Sequence, residues 1–259
     1  MRYRLSAIAI AFVMALPALS HAATQNLKIA VDGSYPPYST VDKKGKLSGF
    51  DIDMADEICK RLKVKCTKVQ VTWDQILDAV NKRRADMVVA STSITDGRRR
   101  RGIMFSERYY HTPAMFLRRK GDEVEGIWKS LRGKTIGVQA KTTHDQFVTS
   151  QFTEVATIER YTTLPEMVQA LVNKKVDVIL ADAWSLQQTA IKGKHGKKLE
   201  FTGPPYNDRR WFGEGIGVIV PRHDPDLKVK VDEAIVSMRN DGTYMTIAKK
   251  YFSFDPYGN

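Results

Sequence analysis

Residues 73–91 of this chain can be laid without a gap on residues 164–182, and that internal echo restricts the fold more than any other feature. The first stretch runs from Trp73 through Arg83-Arg84 and Asp86 to Ser91, the second from Leu164 through Lys174-Lys175 and Asp177 to Asp182. Each carries apolar residues at helical spacing, then a basic pair, an aspartate and a short apolar strand. A strand that is apolar on both faces needs cover above and below. Strands alternating with helices supply it as parallel sheets of an α/β chain. Two such units predict two similar α/β lobes, with Ser91 and Asp182 at equivalent carboxyl ends of equivalent strands, where ligands of open α/β sheets bind. The plainer alternative is that any helix–strand pair shows this much likeness.

The rest of the chain repeats the alternation. Leu27–Val31 reads as a strand ending in a Gly/Pro loop at Asp32–Tyr38, and Gly45 marks a hairpin-like connection. A helix is expected over Asp51–Arg61, a strand over Cys66–Thr72, a helix over Trp73–Arg84 and a strand over Asp86–Ala90. Met104–Arg119 is extended and aromatic. Strands follow at Gly133–Gln139, Thr157–Tyr161, Val176–Leu180 and Gly213–Val220. Helices follow from Thr142, over Pro165–Lys174, over Asp226–Arg239 and over Tyr244–Tyr251.

The first residues set the compartment. Arg2 and Arg4 precede an apolar run from Ala7 to Leu19, and Ser20-His21-Ala22 offers small residues at the positions a signal peptidase inspects. Residues 1–22 therefore read as a secretory signal peptide, too short to span a membrane. Roughly 235 residues remain, enough for two small domains. No later stretch has the ~18 apolar residues of a membrane helix. Cys59 and Cys66 are the only cysteines. In an oxidising compartment so close a pair is most simply a disulfide joining the end of one helix to the next strand. No Cys/His cluster suggests a metal, and no G-x-S-x-G suggests a nucleophile. A net charge of +12 and a pI near 9.6 would suit nucleic acid or anionic lipid. Export removes nucleic acid, and the spread of Lys and Arg fits a basic solvated surface, with transient headgroup contact left open.

Chemistry concentrates after the first echoed strand, in Ser91-Thr92-Ser93-Ile94-Thr95-Asp96-Gly97-Arg98. Ser93, Thr95 and Asp96 suit a helix start, whose backbone N–H groups attract anions. Arg98 adds a planar fork fitted to a carboxylate. Equally, Arg98 could simply open the solvated run Arg98–Arg101. At the other strand ends and loop tips, Thr143 opens a second helix, Asp182 can hold an ammonium, Asp32 is a second anion, and Tyr35 and Trp73 are flat apolar faces. Singly these are a cap, a strand end, a turn residue and core aromatics. Together they are the negative image of an α-amino acid with a cationic side chain.

Over essentially its whole mature length the sequence resembles the periplasmic polar amino-acid-binding proteins of ABC transporters, solute-binding protein family 3, of the lysine/arginine/ornithine- or histidine-binding type. The resemblance rests on Gly49-Phe50-Asp51-Ile52-Asp53-Met54-Ala55, the cysteine pair, Ser93–Arg98, Gly137-Val138 before Thr142-Thr143, Phe212-Gly213-Glu214-Gly215, and Asp241-Gly242-Thr243-Tyr244 through Lys249-Lys250-Tyr251-Phe252. It implies a type II two-lobe periplasmic binding protein with two crossing hinge strands, near Tyr109–Thr112 and Asn207–Arg210. Lobe 1 would then be discontinuous, 23–110 and 211–259, and lobe 2 would be 111–210. It also implies a monomeric, cofactor-free, non-enzymatic periplasmic protein that delivers its amino acid to an inner-membrane ABC permease. By the same resemblance Arg98, Ser93 and Thr143 take the α-carboxylate and Asp182 the α-ammonium. Tyr35 and Trp73 sandwich the side chain, Asp32 takes the distal cation, and Ser91 lines the pocket, with Ala90 and His144 completing it.

Three positions depart from those relatives. Ala90 replaces a common serine, His144 a common glutamine, and Trp73 a phenylalanine, a larger face suited to guanidinium. His144 would favour a ligand with an extra acidic group, so an opine is the alternative ligand. A cyclohexadienyl dehydratase-like enzyme on the same scaffold is a remoter reading, since an ammonium-seating Asp182 does not suit its dicarboxylic substrate. A sensor module is a third, requiring a separate membrane partner.

Overall fold

A computed structural model describes residues 26–258; the signal-peptide reading of residues 1–22 lies outside them. The first half of the chain runs β1 (Asn26–Val31), β2 (Ser34–Tyr35), β3 (Ser39–Val41), β4 (Leu47–Ser48), α1 (Phe50–Leu62), β5 (Lys65–Gln70), α2 (Trp73–Ile76), α3 (Asp78–Asn81), β6 (Met87–Val88), α4 (Asp96–Arg99) and β7 (Ile103–Tyr110). It continues with β8 (Ala114–Arg119), β9 (Thr135–Gln139), α5 (Thr143–Phe152), β10 (Thr157–Tyr161), α6 (Leu164–Val172), β11 (Val178–Asp182), α7 (Ala183–Leu186), a π-turn at Gln187–Ile191 and β12 (Leu199–Tyr206). After α8 (Arg209–Phe212) come β13 (Ile216–Pro221), α9 (Pro225–Asn240) and α10 (Thr243–Ala248).

The echo is real in space. One five-stranded sheet has the order β5-β1-β6-β13-β7, the other β10-β9-β11-β8-β12. β6 and β11 each stand third, parallel to the strand on one side and antiparallel to the strand on the other. The expected two-lobe α/β architecture follows. A third, small sheet of β2, β3 and β4 covers the loop after β1. The helix expected over Trp73–Arg84 is instead two four-residue turns meeting at Leu77. Trp73 leans over the cleft between the sheets, while Ile76, Ala79 and Val80 go into the core beneath.

Each sheet is buried on both faces, as its apolar strands require. Tyr38, Phe50, Tyr109, Tyr110, Tyr244 and Phe252 form an aromatic core between α1, β7 and α10. That core is entered through Gly49, whose φ of 129° and position leave no room for a side chain. A Cβ there would lie 2.2 Å from the Tyr38 carbonyl oxygen. Cys59 and Cys66 form the expected disulfide, tying the last turn of α1 to β5.

The chain leaves the first sheet through residues 111–113 and returns before β13. Asp208 caps α8 by accepting the Arg210 N–H, and Trp211 and Phe212 then pack on Phe147 in the core of the second sheet. The link between β12 of the second sheet and β13 of the first spans residues 207–215. Gly213 lies so close to Ile94 that a Cβ would meet its carbonyl oxygen at 2.2 Å.

Candidate binding site between the sheets

The carboxyl ends of β1, β6, β9 and β11 face one another across a narrow, mostly enclosed cavity. All ten residues expected to touch a ligand line it: Asp32, Tyr35, Trp73, Ala90, Ser91, Ser93, Arg98, Thr143, His144 and Asp182. Ser39, Asp51, Gln139 and Thr142 complete the wall.

At one end the backbone presents Ser93. Its bridge to Ile216 is flanked by Ile94 N–H donating to the Gly215 carbonyl at 2.8 Å and Gly217 N–H donating to Thr92 at 3.1 Å. That pattern turns the N–H and C=O of Ser93 away from β13. Arg98 takes up the carbonyl, donating from Nη1 at 3.0 Å. Thr95 Oγ1 caps the short turn carrying Arg98 by accepting its backbone N–H. Arg98 is 4% exposed, stacks 5.5 Å over Trp73, and has no ion-pair partner among the described residues. Burial pulls its guanidinium down to about 10, against the pull of Asp182 in the other direction. A buried, unpaired cation is costly, and an incoming anion removes that cost. The solvated-run alternative for Arg98 is thereby excluded. Thr143 opens α5 at the far wall and is also buried, while its neighbour Thr142 caps the helix by accepting the Asp145 N–H at 3.1 Å.

Across the cavity stands the opposite charge. Asp182 ends β11 and accepts the Tyr35 hydroxyl proton at 2.5 Å. His144 Nε2 lies 3.6 Å from the other Asp182 oxygen and has no hydrogen-bond partner, its ring packed on Phe212. Asp32 directly follows β1 and is buried; burial raises its pKa, opposed by hydrogen bonds from the Ser34 hydroxyl (2.6 Å) and N–H (3.2 Å).

Asp51 was not expected at the site. It is fully buried in the first turn of α1, accepting protons from Ser91 Oγ at 2.8 Å and Tyr109 OH at 2.7 Å. Burial lifts its pKa to about 6 despite those bonds. Within the Gly49–Ala55 motif an acid at this place reads as an ordinary first-turn helix residue, so only packing discloses it. Ser91, which holds Asp51, has a left-handed φ of 48°, a strained conformation of the kind that clusters at functional sites.

The two sheets touch across the cavity through Tyr35–Asp182, through Trp73 Nε1–H donating to the Ala140 carbonyl at 3.1 Å, and through Lys141 with Asp74 at 4.0 Å. The arrangement is therefore a closed one. No group of three His, Cys, Asp or Glu among the described residues is placed to hold a metal ion.

Two α/β lobes closed over a small polar cavity, with charges of opposite sign on facing strand ends, define a type II solute-binding protein. The family model of bacterial extracellular solute-binding proteins, family 3, matches residues 27–254, and this chain belongs to that family. It is 35% identical over 248 residues to the L-arginine-binding protein of Pseudomonas aeruginosa, covering 95% of each chain. With the lysine/arginine/ornithine-binding periplasmic protein of Escherichia coli it shares 31% identity over 261 residues and the whole of both chains. Among solved structures, an ancestral arginine-binding protein bound to arginine superposes with a TM-score of 0.81 at 27% identity, covering 89% of this chain and all of the other.

Proposed function

We propose that this protein is the periplasmic binding component of an amino-acid ABC importer and closes on a cationic L-α-amino acid: arginine, lysine, ornithine or histidine. One observation carries the reading: a buried Arg98 with no ion-pair partner among the described residues shares its cavity with Asp182 of the opposite sheet and with Asp32 and Asp51. The α-carboxylate goes to Arg98, the Ser93 N–H and Thr143; the α-ammonium goes to Asp182. The side chain passes between Tyr35 and Trp73, and its distal cation ends at Asp32, with Asp51 behind it. Low local dielectric strengthens each pairing over its value in water. The names of the relatives support the same ligand class.

In this reading lobe 1 comprises residues 26–110 and 213–258, lobe 2 comprises residues 111–212, and the ligand bridges them by hinge closure. The protein acts as a monomer that delivers its cargo to an inner-membrane permease.

A panel of isotherms tests the ligand class. L-Arginine, L-lysine, L-ornithine and L-histidine are expected to bind more tightly than L-glutamine, and binding of none of the four would refute it. The unpartnered Nε2 of His144 beside Asp182 favours one second reading, an opine whose extra carboxylate would meet that nitrogen. Tighter binding of octopine than of arginine would replace the first reading by the second. A structural neighbour is an ancestral amino-acid-binding precursor of cyclohexadienyl dehydratase, so prephenate belongs in the panel, with no turnover expected.

A further inference from the structure

We infer that the pole of lobe 2 farthest from the cleft is a docking surface for anionic phospholipid headgroups. The sheet register gathers its charges. β11 ends at the cavity with Asp182, so the turn before Val178 lies at the opposite edge of the sheet. β8 runs antiparallel to it, pairing Ala114 with Asp182 and Arg118 with Val178, so Arg119 and Lys120 reach that same edge. β12 pairs Leu199 with Arg119, which brings the loop before Leu199 to the edge as well. Lys120 N–H donates to the Lys198 carbonyl at 2.8 Å. Arg119 donates to the Leu171 and Val176 carbonyls at 2.8 and 2.6 Å, fixing the turn that bears Lys174 and Lys175 beside it. The length of these strands sets this edge about 17 Å from the cavity.

Six exposed lysines therefore share one pole: Lys120, Lys174, Lys175, Lys194, Lys197 and Lys198. None is ion-paired among the described residues. Of the nearby acids, Asp122 and Asp177 lie against Arg119 and Glu200 against Arg118, while Glu123 and Glu125 are exposed without an ion-pair partner among the described residues. The cations of this pole still outnumber its acids, in a chain of net charge +12.

The chemistry of the patch selects the partner. Lysines on loop tips form a convex array of compact, mobile point charges, without the fixed forks with which arginine grips a single phosphate or carboxylate. Such an array matches a fluid sheet of headgroups, which rearranges to meet it, and each lysine adds to the attraction. Docked by this pole, the protein is concentrated at the membrane with its cleft clear of the lipid.

Cosedimentation of the mature protein tests the inference. At low ionic strength it should pellet with phosphatidylcholine vesicles containing phosphatidylglycerol at least about tenfold more than with pure phosphatidylcholine. The difference should vanish in high salt. The triple variant Lys194→Glu, Lys197→Glu, Lys198→Glu should lose it, with its arginine isotherm unchanged. A charge-matched control, Lys43→Glu, Lys44→Glu, Lys46→Glu on the hairpin of lobe 1, should retain it. Failure of the wild type to pellet with anionic vesicles would overturn the inference, as would equal loss in both variants or pelleting only when a membrane protein is present. None of these outcomes depends on the identity of the amino acid bound in the cleft.

Discussion

Arg98→Met should abolish useful affinity for every α-amino acid while leaving the ligand-free protein at least as stable as the wild type. The two halves of that result come from one fact. Arg98 is 4% exposed, donates to the Ser93 carbonyl, and has no carboxylate within ion-pair distance among the described residues. Buried without an ion-pair partner, its charge is a burden, as its depressed pKa of about 10 records. Methionine fills similar space without charge, so removing the burden offsets the lost hydrogen bond to the Ser93 carbonyl. In the complex the same charge meets the ligand carboxylate in a desolvated site. Truncating one partner of such a pair costs roughly 4 kcal/mol, about a thousandfold in Kd. Calorimetry of the variant against L-arginine measures the loss, and thermal melts with and without ligand measure the other half. Binding within tenfold of the wild type would show that the carboxylate is seated elsewhere.

Asp32→Asn should change which amino acids bind rather than whether they bind. The amide keeps the shape and the turn at Ser34 but removes the charge proposed to meet the distal cation. The loss for L-arginine is expected to be roughly hundredfold, an effect of about 3 kcal/mol, with L-glutamine changed severalfold at most. The pH dependence should carry the same signature. Burial lifts Asp51 to about 6 and raises Asp32 as well. A bound cation favours their ionised forms, so binding releases protons near pH 6 and below. Affinity for a cationic ligand should therefore be level above pH 7 and fall as the pH drops through 6, while a neutral ligand is less affected. Equal loss of arginine and glutamine in Asp32→Asn would remove that residue from its assigned place.

The repeat of helix, basic pair, aspartate and strand made the fold legible, because a doubly buried strand leaves few architectures open. The same register put Ser91 and Asp182 at equivalent strand ends, and the cavity lies there. What escaped the sequence has physical causes. β2, β3 and β4 have two or three residues each, too short to show a period of two. The turn at Arg209–Phe212 is not legible because Asp208 reads as a turn residue, whereas its carboxylate caps a helical turn whose Trp211 and Phe212 pack in the core of the second sheet. Asp51 was missed for a different reason. Its spacing marks the buried face of α1, and nothing in the sequence announces that Ser91 and Tyr109 will hold a carboxylate there. His144, by contrast, stood out as a departure, and its unpartnered nitrogen beside Asp182 is the feature of the cleft most open to chemical use.

A crystal structure of the protein with L-arginine tests the central claim most directly. The account predicts the ligand enclosed between the lobes, its carboxylate on the Arg98 guanidinium, its α-ammonium on Asp182 and its guanidinium against Asp32. Arginine bound with Arg98 and Asp182 turned to bulk solvent, or seated with its two ends exchanged, would contradict it.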